Sequence, residues 1–123
     1  MKDCLFCKII TNDIPSYTIY EDELCKVFLD INPESNGHLL LIPKTHYDNV
    51  LDVDSEFVTH AFNIIKKELY PLLKNKLNAL GLTILENNDL GQDIKHFHIH
   101  LIPRYEKKDL DDLEVVFKKL SEK

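Results

Sequence analysis

Half of the six histidines in this chain fall within five residues, His96-Phe97-His98-Ile99-His100, and Leu101-Ile102-Pro103-Arg104 follows at once. On a strand the side-chain period is two. All three imidazoles then share one face, while Phe97, Ile99 and Leu101 turn to the other and into a core. Two chemistries suit such a row. Alternate strand residues lie about 6.6 Å apart, so the outer histidines are about 13 Å apart, and one metal ion with bonds of about 2 Å can collect two of them at most. The other chemistry uses all three: one neutral imidazole attacks phosphorus or a carbonyl, and its neighbours hold the anion or move protons. Cys4 and Cys7 add a Cys-x-x-Cys half-site. That spacing, in a chain with an odd cysteine count, points to metal or redox chemistry rather than a disulfide framework. Cys25 lies in an apolar run and reads as a small buried hydrophobe.

The elements that must position these groups follow from periodicity. Leu5, Phe6, Ile9 and Ile10 have helical spacing up to Thr11-Asn12-Asp13, with Pro15 beyond, which predicts a short first helix over the cysteine pair. Tyr17 to Tyr20 and Leu24 to Ile31 read as paired strands around the acidic turn Glu21-Asp22-Glu23. The turn formers from Asn32 to Gly37 lead into His38-Leu39-Leu40-Leu41-Ile42, a buried strand closed by Pro43. From Ser55 to Leu80 the apolar period becomes helical. Ser55 is the expected cap, Gly81 the expected stop, and Pro71 is expected to kink or split the helix. Leu82 to Leu85 and His96 to Ile102 predict two more strands, and Leu110 to Leu120 a short tail helix. The expected fold is α+β: a five-stranded, mainly antiparallel sheet with one long helix, a short N-terminal helix and a C-terminal helix. One domain over residues 1–123 is expected, with its motifs within 4–104 and a tail over 105–123.

With 15 Lys and Arg against 21 Asp and Glu, the formal charge is −6. That balance argues against nucleic acid or an anionic membrane as the main partner, because both require clustered cations. No run approaches the ~20 apolar residues of a membrane span, and the N-terminus lacks the apolar core of a signal peptide, so a cytoplasmic protein is expected.

Four ordered blocks now carry a resemblance: Cys4-Leu5-Phe6-Cys7-Lys8-Ile9-Ile10, Phe28-Leu29-Asp30-Ile31, Gly37-His38-Leu39-Leu40-Leu41-Ile42-Pro43-Lys44-Thr45-His46, and the row from His96. Together they resemble the Hint branch of the histidine-triad nucleotide-binding proteins, in its bacterial, zinc-binding type. The resemblance implies a homodimer joined through the long helix so that the two sheets become continuous. It also implies an activity: cleavage of the P–N bond of purine nucleoside 5′-phosphoramidates through a covalent nucleotidyl-histidine, releasing the nucleoside monophosphate.

By the same resemblance, His98 is the nucleophile, His100 holds the phosphate, and His38 supports them. Leu5, Phe6, Ile9, Phe28 and Ile31 surround the base, and Asp30 bonds the ribose hydroxyls; by composition alone these apolar residues are also core residues, and Asp30 is also a turn cap. Asn87, Gly91 and Gln92 fall in the loop where the family contacts phosphate. Asp93 stands where the family usually has Ser or Thr, and the loop is shorter and poorer in glycine than usual. Cys4 and Cys7 with His46 and His96 match a Cys₂His₂ set for a structural Zn²⁺, leaving His98 free for chemistry. Two other readings compete: dinucleoside polyphosphate hydrolysis of the fragile-histidine-triad type, disfavoured by the N-terminal block, and a nucleotide-binding or scaffold protein with weak catalysis, which Asp93 keeps in play.

Overall fold

The computed structural model describes residues 4–122. Strands β1 (Thr18–Glu21), β2 (Cys25–Leu29), β3 (Leu39–Pro43), β4 (Gly81–Leu85) and β5 (Ile99–Arg104) form one sheet in the order β1-β2-β3-β5-β4, with every neighbouring pair antiparallel. β2 and β3 are buried throughout, as their near-continuous apolar runs require. Their alternation divides two cores. Val27, Leu29, Leu39, Leu41, Ile99 and Leu101 face the long helical segment. Phe28, Leu40 and Ile42 face helix α1 (Leu5–Ile10), where they meet Phe6 and Ile9.

The long helical segment runs without a break from α2 (Ser55–Ile64) through a π-helical turn (Ile65–Leu69) into α3 (Tyr70–Leu77). Pro71 neither splits nor ends it. The amide of Tyr70 bonds back to Ile65 rather than one residue nearer, and this wider turn sets Pro71 in the first turn of α3, where its missing N–H costs little. The expected boundaries shift for local reasons. Asp54, rather than Ser55, caps α2 by accepting from the Glu56 amide, and the segment ends at Asn78 in a left-handed conformation, ahead of Gly81. The tail helix α4 (Leu113–Ser121) packs on α3 and β1. The second strand is shorter than the pattern suggests, Cys25–Leu29, because Asp30 bonds the turn that follows.

Two details hold the site's supports in place. Lys26, only 2% exposed, donates from Nζ to the carbonyl of Ile9 (2.9 Å) and to Asn12 Oδ1 (3.0 Å), clamping the end of α1 to the sheet. Gly37 has φ +85°, and a β-carbon there would lie 2.6 Å from Leu77 Cδ1 and 2.8 Å from Leu73 Cδ2, so the turn into His38 presses directly on α3.

Candidate active site and metal centre

β5 begins at Ile99, so His96 and His98 lie on the extended approach to it rather than within the ladder. The amide of Phe97 bonds the carbonyl of Tyr47 instead of a neighbouring strand. The alternation nevertheless holds: Phe97, Ile99 and Leu101 enter the helix-side core, and the imidazoles stand on the α1 side.

The middle imidazole has a fixed tautomer. His98 Nδ1–H donates to the carbonyl of His96 at 2.8 Å, leaving Nε2 with its lone pair. Burial lowers the proton affinity of His98, against the opposing pull of the His96 carbonyl and the charges of Asp93 and Glu86, so the ring is neutral at pH 7. A neutral ring with a free Nε2 is what a nucleophilic imidazole requires.

A second chain of bonds sets His100. The amide of Glu34 donates to His38 Nδ1 (3.1 Å), which places the His38 proton on Nε2, and that atom donates to His100 Nδ1 at 3.0 Å. His100 therefore carries its proton on Nε2. His38 is 3% exposed, and its burial, despite Asp30 nearby, keeps it neutral. The rings of His98 and His100 are 4.9 Å apart. A lone pair on one ring and an N–H on the next suit a nucleophile beside a donor for an anionic oxygen.

These rings close one end of a pocket of about 200 Å³. Leu5, Phe6, Ile9, Phe28 and Ile31 all line it, with Asp30, Asp93, His98 and His100. Phe6, Ile9 and Phe28 are core residues as well, whereas Leu5 is 40% and Ile31 70% exposed, leaving apolar surface at the mouth. Asp30 has two roles. Its Oδ1 accepts the Asn32 amide and caps the turn, while Oδ2 lies 3.5 Å from His38 Nε2 at the pocket wall. Ile14, Ser16 and Ile94 line the pocket too and were not singled out from the sequence, while Pro15 was read only as the stop after the first helix and Leu40 only as a buried strand residue.

The loop between β4 and β5, where the resemblance puts phosphate contacts, is fastened to its neighbours by side-chain hydrogen bonds. Gln92 spends its side chain on structure, donating to the carbonyl of Asp48 (2.7 Å) and accepting from the amide of Asp89 (3.0 Å). Asn88 accepts from the Val50 amide and donates to Glu86. Gly91 has φ +97° in open space, and neither it, Asn87 nor Gln92 lines the pocket. Asp93 does.

Cys4, Cys7, His46 and His96 converge, each offering one ligand atom within 4.8 Å of all the others. Cys4 Sγ is 3.3 Å from His96 Nδ1, and Cys7 Sγ is 3.3 Å from His46 Nδ1. These spacings are close to the edges of a tetrahedron with Zn–S bonds of about 2.3 Å and Zn–N bonds of about 2.0 Å. The outward nitrogens are also occupied: His96 Nε2 donates to the carbonyl of Pro43 (2.9 Å) and His46 Nε2 to Asp48 Oδ1 (3.0 Å), so both Nδ1 lone pairs turn inward. The residues fit zinc. Asp48, two residues after His46, is an orienting residue that sequence reading passed over. Cys25 stays apart from this set, buried in the helix-side core.

A sheet with one histidine row, a carboxylate and an apolar pocket on a single face defines a histidine-triad domain. The HIT domain model matches residues 11–107, and the chain belongs to the HIT family. Among similar proteins, Protein hit of Bacillus subtilis is 43% identical over 110 residues, which cover 88% of this chain and 75% of that protein. Adenosine 5′-monophosphoramidase HNT1 of Saccharomyces cerevisiae is 38% identical over 107 residues, covering 85% of this chain and 65% of that one. A crystal structure of a Zn-bound histidine triad family protein from Mycobacterium smegmatis superposes with a TM-score of 0.88 at 32% identity, covering 97% of this chain and 91% of that one.

Proposed function

We propose that this protein hydrolyses nucleoside 5′-phosphoramidates, with purine nucleotides as the substrate class, His98 as the nucleophile and a structural Zn²⁺ on Cys4, Cys7, His46 and His96. The observation that carries the reading is the Nδ1–H of His98 bonded to the His96 carbonyl, which directs the Nε2 lone pair at the pocket. The relative named as a monophosphoramidase supports the reaction class, and the Zn-bound relative supports the metal.

His98 Nε2 attacks the α-phosphorus. The P–N bond to the amine breaks as the N–P bond to the imidazole forms, and the departing nitrogen takes a proton from solvent. Water then adds to phosphorus, the bond to His98 breaks, and nucleoside monophosphate leaves with the proton balance restored. His100 Nε2–H donates to a phosphoryl oxygen throughout, Asp30 accepts from the ribose hydroxyls, and the apolar wall from α1 and β2 takes the base. When bound, zinc supplies fold stability by joining α1 to the approach of β5, since four protein ligands leave no open position. The reading includes a homodimer joined through the long helix and the sheets: β4 is an edge strand on which Ile84 and Leu85 are exposed, and Phe62 of α2 is exposed as well.

The test is steady-state hydrolysis of adenosine 5′-phosphoramidate by wild type and His98→Ala, with a dinucleoside polyphosphate alongside. A loss of about 10³-fold or more in the variant, at unchanged nucleotide affinity, is expected. Turnover of the polyphosphate alone would refute the assignment.

A further inference from the structure

A second group of metal-ligating side chains meets at the β1–β2 turn: Asp22 from the turn itself, Cys25 at the start of β2, and His60 of α2, with one ligand atom of each within 4.8 Å of the other two. None of the three belongs to the Cys₂His₂ set or lines the nucleotide pocket, and Cys25 packs in the helix-side core, on the face of the sheet opposite the histidine row. Asp22 divides its oxygens. Oδ1 accepts the amides of Leu24 (2.8 Å) and Cys25 (2.9 Å), which closes the turn. Oδ2 accepts from His60 Nε2 (2.7 Å) and from the Tyr20 hydroxyl (2.9 Å). One oxygen thus completes the turn, and the other faces an imidazole brought in by a separate helix, with a thiol beside them.

The surroundings suit a cation. Cys25 is fully buried, whereas the side chains of Asp22 and His60 are 24% and 32% exposed, so the group opens to solvent on one side and ends on sulfur at the other. Among the described residues Asp22 has no lysine or arginine partner, because the nearby Lys44 is taken by Glu21 at 2.8 Å. Burial and then the Asp22 carboxylate push the Cys25 thiol up to about 12, so without a metal the sulfur keeps its proton. A divalent ion reverses that balance: with a thiolate, a carboxylate and a neutral imidazole it makes a group of zero net charge. His60 Nδ1 makes no hydrogen bond among the described residues, so the ring proton can move there and meet water, freeing Nε2 as a ligand. Two ligand bonds of about 2.0 Å at a tetrahedral angle set N and O about 3.3 Å apart. The 2.7 Å contact must therefore widen by roughly half an ångström, which two partly exposed side chains can do.

We infer that Asp22, Cys25 and His60 form a second transition-metal site, suited to Zn²⁺, with three protein ligands and a fourth position open to water. On binding, the metal–sulfur bond forms as the S–H bond breaks, the Cys25 proton leaves to solvent, and no electron is transferred. Thiolate and imidazole on one centre select a borderline-soft ion over Mg²⁺ or Ca²⁺, which prefer oxygen ligands. The bound ion ties the β1–β2 turn to α2. The inference is independent of the phosphoramidase reading.

The experiment starts from protein loaded with one equivalent of Zn²⁺, which fills the four-ligand set and is not displaced readily by Co²⁺, a weaker binder. Co²⁺ is then titrated in, and a thiolate ligand is read by its near-ultraviolet sulfur-to-cobalt charge-transfer band. Wild type is expected to show the band saturating at one further equivalent, unaffected by excess Mg²⁺. Cys25→Ala should abolish the band. His60→Gln should weaken Co²⁺ binding by on the order of tenfold or more, the least that losing even an orienting partner costs at a metal. His60 is partly exposed, so its replacement keeps the test decisive if the buried Cys25→Ala fails to fold. No band in wild type, or a band that either folded variant leaves unchanged, overturns the site and leaves Asp22 a hydrogen-bonded turn cap.

Discussion

The chain has three glycines, and replacing each with alanine separates backbone strain from packing at the turn that aims His38. Gly37 has φ +85° and Gly91 φ +97°, whereas Gly81 shows no left-handed φ and would place its new β-carbon 3.6 Å from Arg104 Cβ, an ordinary contact. Gly91→Ala meets nothing within 4 Å, so its cost is conformational alone, about 1–2 kcal/mol. Gly37→Ala carries the same strain and adds contacts of 2.6 and 2.8 Å to the methyls of Leu77 and Leu73. Leu73 is fully buried and cannot retreat freely, so overpacking contributes roughly another 1–3 kcal/mol, for a total of about 2–5. Gly81→Ala should be neutral or stabilise by up to about 1 kcal/mol through the unfolded chain. Urea denaturation with fixed metal content reads all three. The Gly37 variant should also lose more activity than its stability loss explains, because the displaced turn carries the Glu34 amide and His38, which together set the His100 proton. A Gly37→Ala cost no greater than that of Gly91→Ala would refute the packing argument.

Other consequences follow for the metal, the clamp on α1 and a hydrogen-bonded carboxylate outside the pocket. Chelation, or Cys7→Ala, should lower the melting temperature and release the N-terminal helix; less than about half an equivalent of zinc per wild-type chain by elemental analysis would remove the metal centre. Lys26→Met removes two charge-assisted bonds to Ile9 and Asn12 but also the cost of burying an ammonium, so global stability should change by less than the roughly 3 kcal/mol those bonds represent. Amide exchange over residues 9–12 should nonetheless quicken, and unchanged protection there would count against the clamp. Burial alone would push the Asp22 carboxyl up, but the amides of Leu24 and Cys25 with His60 and Tyr20 override it and hold it well below the usual carboxylate range. Its stabilisation is therefore fully present above the unfolded value near pH 4 and lost as pH falls below it. Asp22→Asn should cost roughly 2 kcal/mol at neutral pH, and the gap from wild type should narrow by pH 2; a pH-independent gap would contradict the assignment.

The legible and illegible parts of this molecule divide along a physical line. Side-chain burial was written in the sequence: the apolar runs of β2 and β3, the alternation through Phe97, Ile99 and Leu101, and the helical stripe from Phe57 to Leu73 all place their residues in the cores observed. Hydrogen-bond partners were not, because many side-chain and loop amides have several candidate acceptors and the choice is made by tertiary neighbours. The Phe97 amide goes to Tyr47, so the ladder starts at Ile99, three residues later than the expected start at His96. The Gln92 side chain bonds the carbonyl of Asp48 and the amide of Asp89, partners that its place in the sequence does not announce. The π turn that absorbs Pro71 depends on where the Tyr70 amide finds a carbonyl. The same division runs through the site. Its histidine row could be named from type and spacing, and Asp30 with Leu5, Phe6, Ile9, Phe28 and Ile31 from the family resemblance, whereas Ile14 and Ile94 on the same wall were not singled out. What makes the row reactive, the tautomers of His98 and His100, is decided by a backbone carbonyl in one case and by a backbone amide acting through His38 in the other. Backbone groups are the same at every residue and leave no mark in a sequence, so the order of protons along a histidine row is a property of the fold.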